Sequence, residues 1–221
     1  MMRANIAIPP LVTALLCLCG AVAAVLSERR GWKLGQAVFK VAASTAFVIL
    51  ALECGAAASI YGQLILTALI LCWLGDVFLL SRRKIYFLLG TVSFLIAHIA
   101  FGAAFASLSL NWPAFWIGMT ILAASGIGML SWLWVRLSGI FKIAVPAYIA
   151  AILTMTSLAI AHSAASGSLF TAAGALAFTA SDISVARDRF FGRETANYAW
   201  GLPLYYLAVV LLATSAGPVA S

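Results

Sequence analysis

Apolar residues run along this chain in eight long blocks, and polar residues gather in the gaps between them. The blocks cover about 6–26, 36–52, 61–80, 85–108, 114–135, 140–161, 169–186 and 199–216. A bilayer-spanning helix needs ~20 predominantly apolar residues, and the blocks are of that order. The pattern therefore predicts an all-α polytopic membrane protein: a bundle of eight transmembrane helices with short loops. Those helices use nearly the whole of residues 1–221, so one integral-membrane domain is expected, with no room for a soluble one. Arg3 and the first apolar run have features of a secretory signal peptide. The run opens with Pro9-Pro10 and is long enough to span, which favours an uncleaved first helix.

Composition agrees with the pattern. Of 221 residues, 65% are hydrophobic and 9% charged, where a soluble domain carries about 25% charged residues. The net charge of +7 would suit nucleic acid if it formed one soluble face, but the basic residues sit at helix ends. The gap after the first block holds Arg29, Arg30 and Lys33; that after the third, Arg82, Arg83 and Lys84. The gap after the fifth holds Arg136 and Lys142, and that after the seventh, Arg187, Arg189 and Arg193. The opposite side has only Arg3. Cytoplasmic loops are the Lys- and Arg-rich ones, so the odd-numbered gaps are expected in the cytoplasm and both termini outside. A bacterial inner membrane suits so short a chain. Cys17, Cys19, Cys54 and Cys72 lie in or beside apolar blocks at spacings that match no zinc motif. They read as small buried hydrophobes, and no metal or other cofactor is expected.

Polar residues inside the blocks are the informative exceptions, because an intramembrane ionisable side chain is costly and marks function by default. Asp76 sits in LCWLGDVFLL after Gly75, and Asp182 in FTASDISVA after Ser181. At 1.5 Å per residue, Asp76, Asp182 and Lys40 each fall ~6 Å inside the basic boundary. Tyr205 and Tyr206 fall ~9–11 Å in, and Tyr148 ~12 Å. Several helices thus bring polar groups to one layer near the cytoplasmic face. His98, ~20 Å in, reads as a deeper structural residue. Pro146 frees a carbonyl in the sixth helix. Each residue also has a plainer reading. Lys40 can snorkel, the acids can pair with Arg82, Arg83, Arg187 or Arg189, and Tyr205-Tyr206 can belong to an aromatic belt. An acid at a helix C-terminus opposes the macrodipole, however, and the shared depth favours a site.

Two carboxylates held close in a poorly solvated site do not both ionise cheaply, which yields one acid and one base. That pair suits hydrolysis through an oxocarbenium-like state. A lipid would enter sideways, with its phosphate near Lys40 and the arginines. The residues that carry these features also resemble the YhhN family of membrane lysoplasmalogenases. The matching pieces are Lys40, LGDVFLL with Asp76, and Phe87, Gly90, Phe94 and His98. They continue with Gly174, Phe178, Ser181-Asp182, Arg189-Phe190 and Tyr205-Tyr206. The chain departs from the family pattern at Val41, Phe101 and Val209, where proline, tyrosine and glutamine are usual. The resemblance implies cleavage of the vinyl ether bond of lysoplasmalogens to a fatty aldehyde and glycerophosphoethanolamine or glycerophosphocholine. Asp76 and Asp182 would be catalytic. Lys40, Tyr148, Ser181, Arg189, Tyr205 and Tyr206 would meet a lysophospholipid substrate, with Gly75, His98 and Pro146 in structural or accessory places.

Other chemistries fit less well. An intramembrane aspartyl protease would carry Gly-x-Gly-Asp, but Trp73 takes the first glycine's place. A ceramidase-like zinc hydrolase needs a histidine cluster that His98 and His162 do not make. A proton-coupled transporter of a small solute or lipid is the alternative. The third and seventh helices would occupy equivalent places in a four-plus-four repeat, as some transporters show, but midplane Gly/Pro breaks are missing.

Overall fold

A computed structural model describes residues 10–81, 83–192 and 194–217. Arg3, Pro9, Arg82 and Arg193 lie outside them. The described residues form eight α-helices and no strand. In chain order they are α1 (Pro10–Arg29), α2 (Lys33–Glu53), α3 (Ile60–Phe78), α4 (Lys84–Ala106), α5 (Trp112–Trp134), α6 (Phe141–Ser166), α7 (Phe170–Phe190) and α8 (Thr195–Thr214). A one-turn 3₁₀ helix, Ala56–Ala58, lies between α2 and α3. Each apolar block of the sequence corresponds to one helix.

Seven helices are long and apolar enough to cross a membrane, and the protein is an integral membrane protein. The remaining helix, α7, is made more polar by Asp182, Arg187, Asp188 and Arg189. It nevertheless packs between α6 and α8 within the bundle.

Local signals set the ends. Asn111 caps α5 by accepting from the Ala114 amide at 3.0 Å, and Ser59 caps α3 through the Gly62 amide at 3.0 Å. Both are preferred N-cap residues, since a side-chain oxygen satisfies an orphan helical amide. Gly167 ends α6 at φ +74°, in the left-handed region that glycine enters without a Cβ clash.

Consecutive helices pair as antiparallel hairpins: α1 with α2, α3 with α4, α5 with α6 and α7 with α8. Helix α8 also packs against α1, α2 and α3, and α4 packs against α6, which joins the hairpins into one bundle. The shared core centres on Phe47, Phe101, Phe105, Phe178, Tyr206 and Leu212, none exposed. A smaller cluster of Leu133, Leu137, Phe141 and Val145 closes the end that carries the basic loops. Basic side chains there lie over aromatic faces, with the Arg189 guanidinium 4.2 Å from the Phe87 ring centre and Arg136 5.2 Å from that of Phe191. Such cation–π contacts let a charge settle on an apolar surface.

Candidate functional site

Asp76 lies two residues before the end of α3, and the neighbouring helices converge on it. The Lys40 ammonium of α2 stands 3.1 Å from Asp76 Oδ1, with the two side chains 9% and 3% exposed. Ser44, one turn further along α2, donates to Asp76 Oδ2 at 2.6 Å, and Tyr205 of α8 donates to the same oxygen at 2.9 Å. Behind them, the Tyr206 hydroxyl lies 2.8 Å from Ser44 Oγ and donates to the Lys40 carbonyl at 2.9 Å. Both carboxylate oxygens are thus engaged, which is how a buried charge is retained. The bundle is close here because residue 75 is glycine: a Cβ there would stand 2.6 Å from the Phe94 ring of α4.

Asp182 has sparser surroundings. Tyr148 of α6 donates to its Oδ2 at 2.7 Å. His98 Nε2 of α4 is 3.8 Å from that oxygen, beyond hydrogen-bond range. The Asp182 side chain is 19% exposed, far more than that of Asp76. His98 is not exposed at all, and neither ring nitrogen makes a hydrogen bond of good geometry. Its ring is held between Phe178 and Tyr148, with centroids 4.8 and 5.0 Å away. Phe178 in turn packs edge-on to Tyr205 at 5.3 Å, so an aromatic floor joins the two acids.

Both carboxylates line one cavity of about 750 Å³, a volume within the usual range of small-molecule sites. Tyr148, Tyr205 and Lys40 line it between the acids. Lys33, Gln36, Ser81, Asp188 and Arg189 lie at the basic end, and apolar residues of α5 and α6 line the remainder.

Several expectations from the sequence are revised. Among the described residues, neither acid pairs with an arginine; Arg82 lies outside them. Asp76 takes Lys40, while Arg187 meets Glu194 at 3.6 Å and Arg189 covers Phe87. The Lys40 ammonium turns to Asp76 instead of snorkelling, while Lys40 still lines the cavity. Tyr206 is fully buried and supports Ser44 from behind, whereas Tyr205 lines the cavity. Ser181 lines the cavity too, but its hydroxyl donates to the Phe178 carbonyl at 2.7 Å on its own helix. His98 is beside Asp182 rather than remote from the site. The apolar block ends at Ala186, but α7 continues to Phe190. Asp182 therefore lies ~12 Å from that helix end, nearer the level of His98. Gly75 and Pro146, expected in structural or accessory places, are not among the residues that line the cavity. Ser44 was not singled out from the sequence. Its signal is the i, i+4 spacing from Lys40, which puts both on one face of α2.

A sequence model of the YhhN family matches residues 35–216. Lysoplasmalogenase TMEM86A of Bos taurus is 30% identical over 158 residues, which cover 69% of this chain and 64% of that protein. The Homo sapiens protein of the same name is 31% identical over 158 residues, with the same shares. The match spans slightly less than two thirds of the length of these curated relatives. No solved structure matches the chain.

Proposed function

The chain belongs to the YhhN family, and from that premise we propose that it is a lysoplasmalogenase-like hydrolase. It cleaves the vinyl ether bond of a lysoplasmalogen to a fatty aldehyde and glycerophosphoethanolamine or glycerophosphocholine. The observation that carries this reading is a single cavity lined by both Asp76 and Asp182, basic at one end and apolar beyond. The names of the TMEM86A relatives point the same way. A single-chain phospholipid matches the cavity's polarity: phosphate towards Lys33 and Arg189, hydrocarbon among apolar side chains, and the ether between the acids. The basic end is assigned to the cytoplasmic face, where Lys- and Arg-rich loops reside.

The unequal surroundings of the acids support unequal roles. Asp76, held by an ammonium and two hydroxyl donors, serves as the carboxylate base. Asp182, with one hydroxyl donor among aromatic rings, serves as the proton-bearing acid, since an apolar setting favours the neutral form. Asp182 protonates the vinyl β-carbon, which leaves an oxocarbenium ion at the ether carbon. Water attacks that carbon and gives its proton to Asp76. In the collapse of the hemiacetal, Asp182 takes the hydroxyl proton and Asp76 returns its proton to the leaving oxygen. Both acids regain their starting states, and one water is consumed.

The test is aldehyde release from purified protein in detergent, with lysoplasmenyl-ethanolamine beside the matched ester lysolipid. Release is expected from the vinyl ether alone. Asp182→Asn and Asp76→Asn should each lower turnover by about 10²–10⁴, the usual worth of a general acid or base. Wild-type turnover in either variant would remove that acid from the mechanism. No release from folded wild-type protein would remove the hydrolase.

A further inference from the structure

Helix α4 turns a buried row of Phe94, His98, Phe101 and Phe105 to the core at helical spacing. Three of the four are phenylalanines, whose rings fill the core without a polar atom. His98 brings two ring nitrogens to the same row, with none of its surface exposed. Burying such atoms is costly unless they are hydrogen-bonded, and among the described residues neither nitrogen has a partner of good geometry. Packing alone does not account for a histidine in this row.

The ring faces Asp182. Nε2 stands 3.8 Å from Oδ2, the same oxygen that accepts from Tyr148 at 2.7 Å. A hydrogen bond needs about 2.7–3.2 Å, so an approach of roughly 0.6–1.1 Å closes the pair. Bonds to catalytic groups are often long before the reaction and tighten during it. Phe178 and Tyr148 hold the ring in place, while the Asp182 side chain is partly exposed. Asp182 and Tyr148 line the cavity and His98 does not, so an occupant meets His98 only through the acid.

We propose that His98 is a positioning residue for Asp182: it donates from Nε2 to Oδ2 as the acid gives up its proton, and leaves Oδ1 to carry that proton. The role in turnover rests on the hydrolase reading. In the acid step the Oδ1–H bond breaks, a C–H bond forms at the vinyl β-carbon, and the electron pair stays on the carboxylate. His98 keeps its own proton throughout. Tyr148 alone serves the neutral acid, and His98 joins it when the charge appears. A donor that engages only then favours the transition state over the ground state.

The experiment has two arms. In the first, aldehyde release by His98→Leu and His98→Gln is compared with the wild type. Leucine should lower kcat about ten- to a hundredfold, the worth of one hydrogen bond to a charged group, with KM unchanged. Glutamine keeps an amide donor near the place of Nε2 and should restore much of the loss. Should His98→Leu fail to fold, His98→Asn, whose amide is one bond shorter, takes its place. Wild-type kcat in the variant without a reaching donor, or equal losses in it and His98→Gln, would overturn the role.

The second arm needs no turnover. The chain has two histidines, and His162 lies ~21 Å along α6 from Tyr148, so nitrogen-15 histidine labelling in nanodiscs resolves His98. A proton is expected on Nε2. With Asp182 ionised, as followed by its infrared carboxyl band, that proton should resonate downfield of its position in Asp182→Asn. A bare Nε2, with the proton on Nδ1 towards the Phe94 carbonyl one turn back, would overturn the inference, as would equal resonances in the two proteins. If the wild type cleaves no vinyl ether but the downfield proton is found, the His98 contact stands and the hydrolase falls.

Discussion

Around Asp76, an ammonium and two hydroxyls converge on one carboxylate whose side chain is 3% exposed. Around Asp182, one tyrosine hydroxyl reaches the carboxylate, a histidine stands just out of range, and part of the side chain faces open space. Sequence context is alike in the two: a small residue before, a β-branched residue after, and basic residues beyond. The difference comes from the helices packed alongside. Helices α2 and α8 bring donors to Asp76, whereas α4 and α6 bring mainly aromatic rings to Asp182. Similar peptides have become a carboxylate with three polar partners and a carboxylate with one hydroxyl donor, because different helices pack beside them.

The strongest way to break this contrast is to remove Lys40. A buried ion pair that loses one partner costs about 3–5 kcal/mol, because the other charge is left uncompensated. Lys40→Met should destabilise the protein by that order in detergent thermal unfolding. The Lys40→Met/Asp76→Asn double variant should recover much of the loss. Asp182→Asn should leave stability near that of the wild type, since the amide oxygen still accepts from Tyr148. Equal losses for Lys40→Met and the double variant would show that Asp76 does not depend on Lys40.

The tyrosines sharpen the contrast at a smaller scale. A hydrogen bond to a charged group is worth about 1.5–3 kcal/mol. Tyr205→Phe removes one of several donors from Asp76, and Lys40 and Ser44 remain. Tyr148→Phe removes the one hydroxyl that, among the described residues, donates to Asp182. Turnover should therefore fall about tenfold or more in Tyr148→Phe, and by a smaller factor in Tyr205→Phe, with KM for the vinyl ether little changed in both. The reverse order would mean that Asp76 is the less firmly held acid.

Much of this contrast could not be read from the chain. The eight helices were legible because apolar runs of spanning length are hard to hide, and both acids were legible because charge within such a run is rare. Helix ends were less so. Hydropathy stops α7 at the first arginine, yet Arg187 and Arg189 lie in its last turn, where positive charge favours a helix C-terminus. With that extension Asp182 lies ~12 Å from the helix end rather than ~6 Å, nearer the level of His98. Among many basic residues, nothing local marked Lys40 as the partner of Asp76, since the contact joins helices by packing. Ser44 left a trace in its spacing from Lys40, but serine within an apolar helix more often bonds its own backbone, as Ser125 and Ser181 do here.

Those serines offer the finest division of the two regions. Ser44 and Ser181 are both buried, and each stands beside the cavity or its acids. Ser44 spends its proton on a carboxylate of another helix, while Ser181 spends its proton on the Phe178 carbonyl one turn back. Alanine at Ser44 should cost about 2 kcal/mol of stability, as expected of a bond to a charge, and alanine at Ser181 about 0.5 kcal/mol, the low end for neutral bonds. Paired unfolding measurements on the two variants check the ranking. A Ser44→Ala loss no larger than that of Ser181→Ala would mean that Lys40 and Tyr205 alone hold Asp76, and that the third donor merely fills space between α2 and α8.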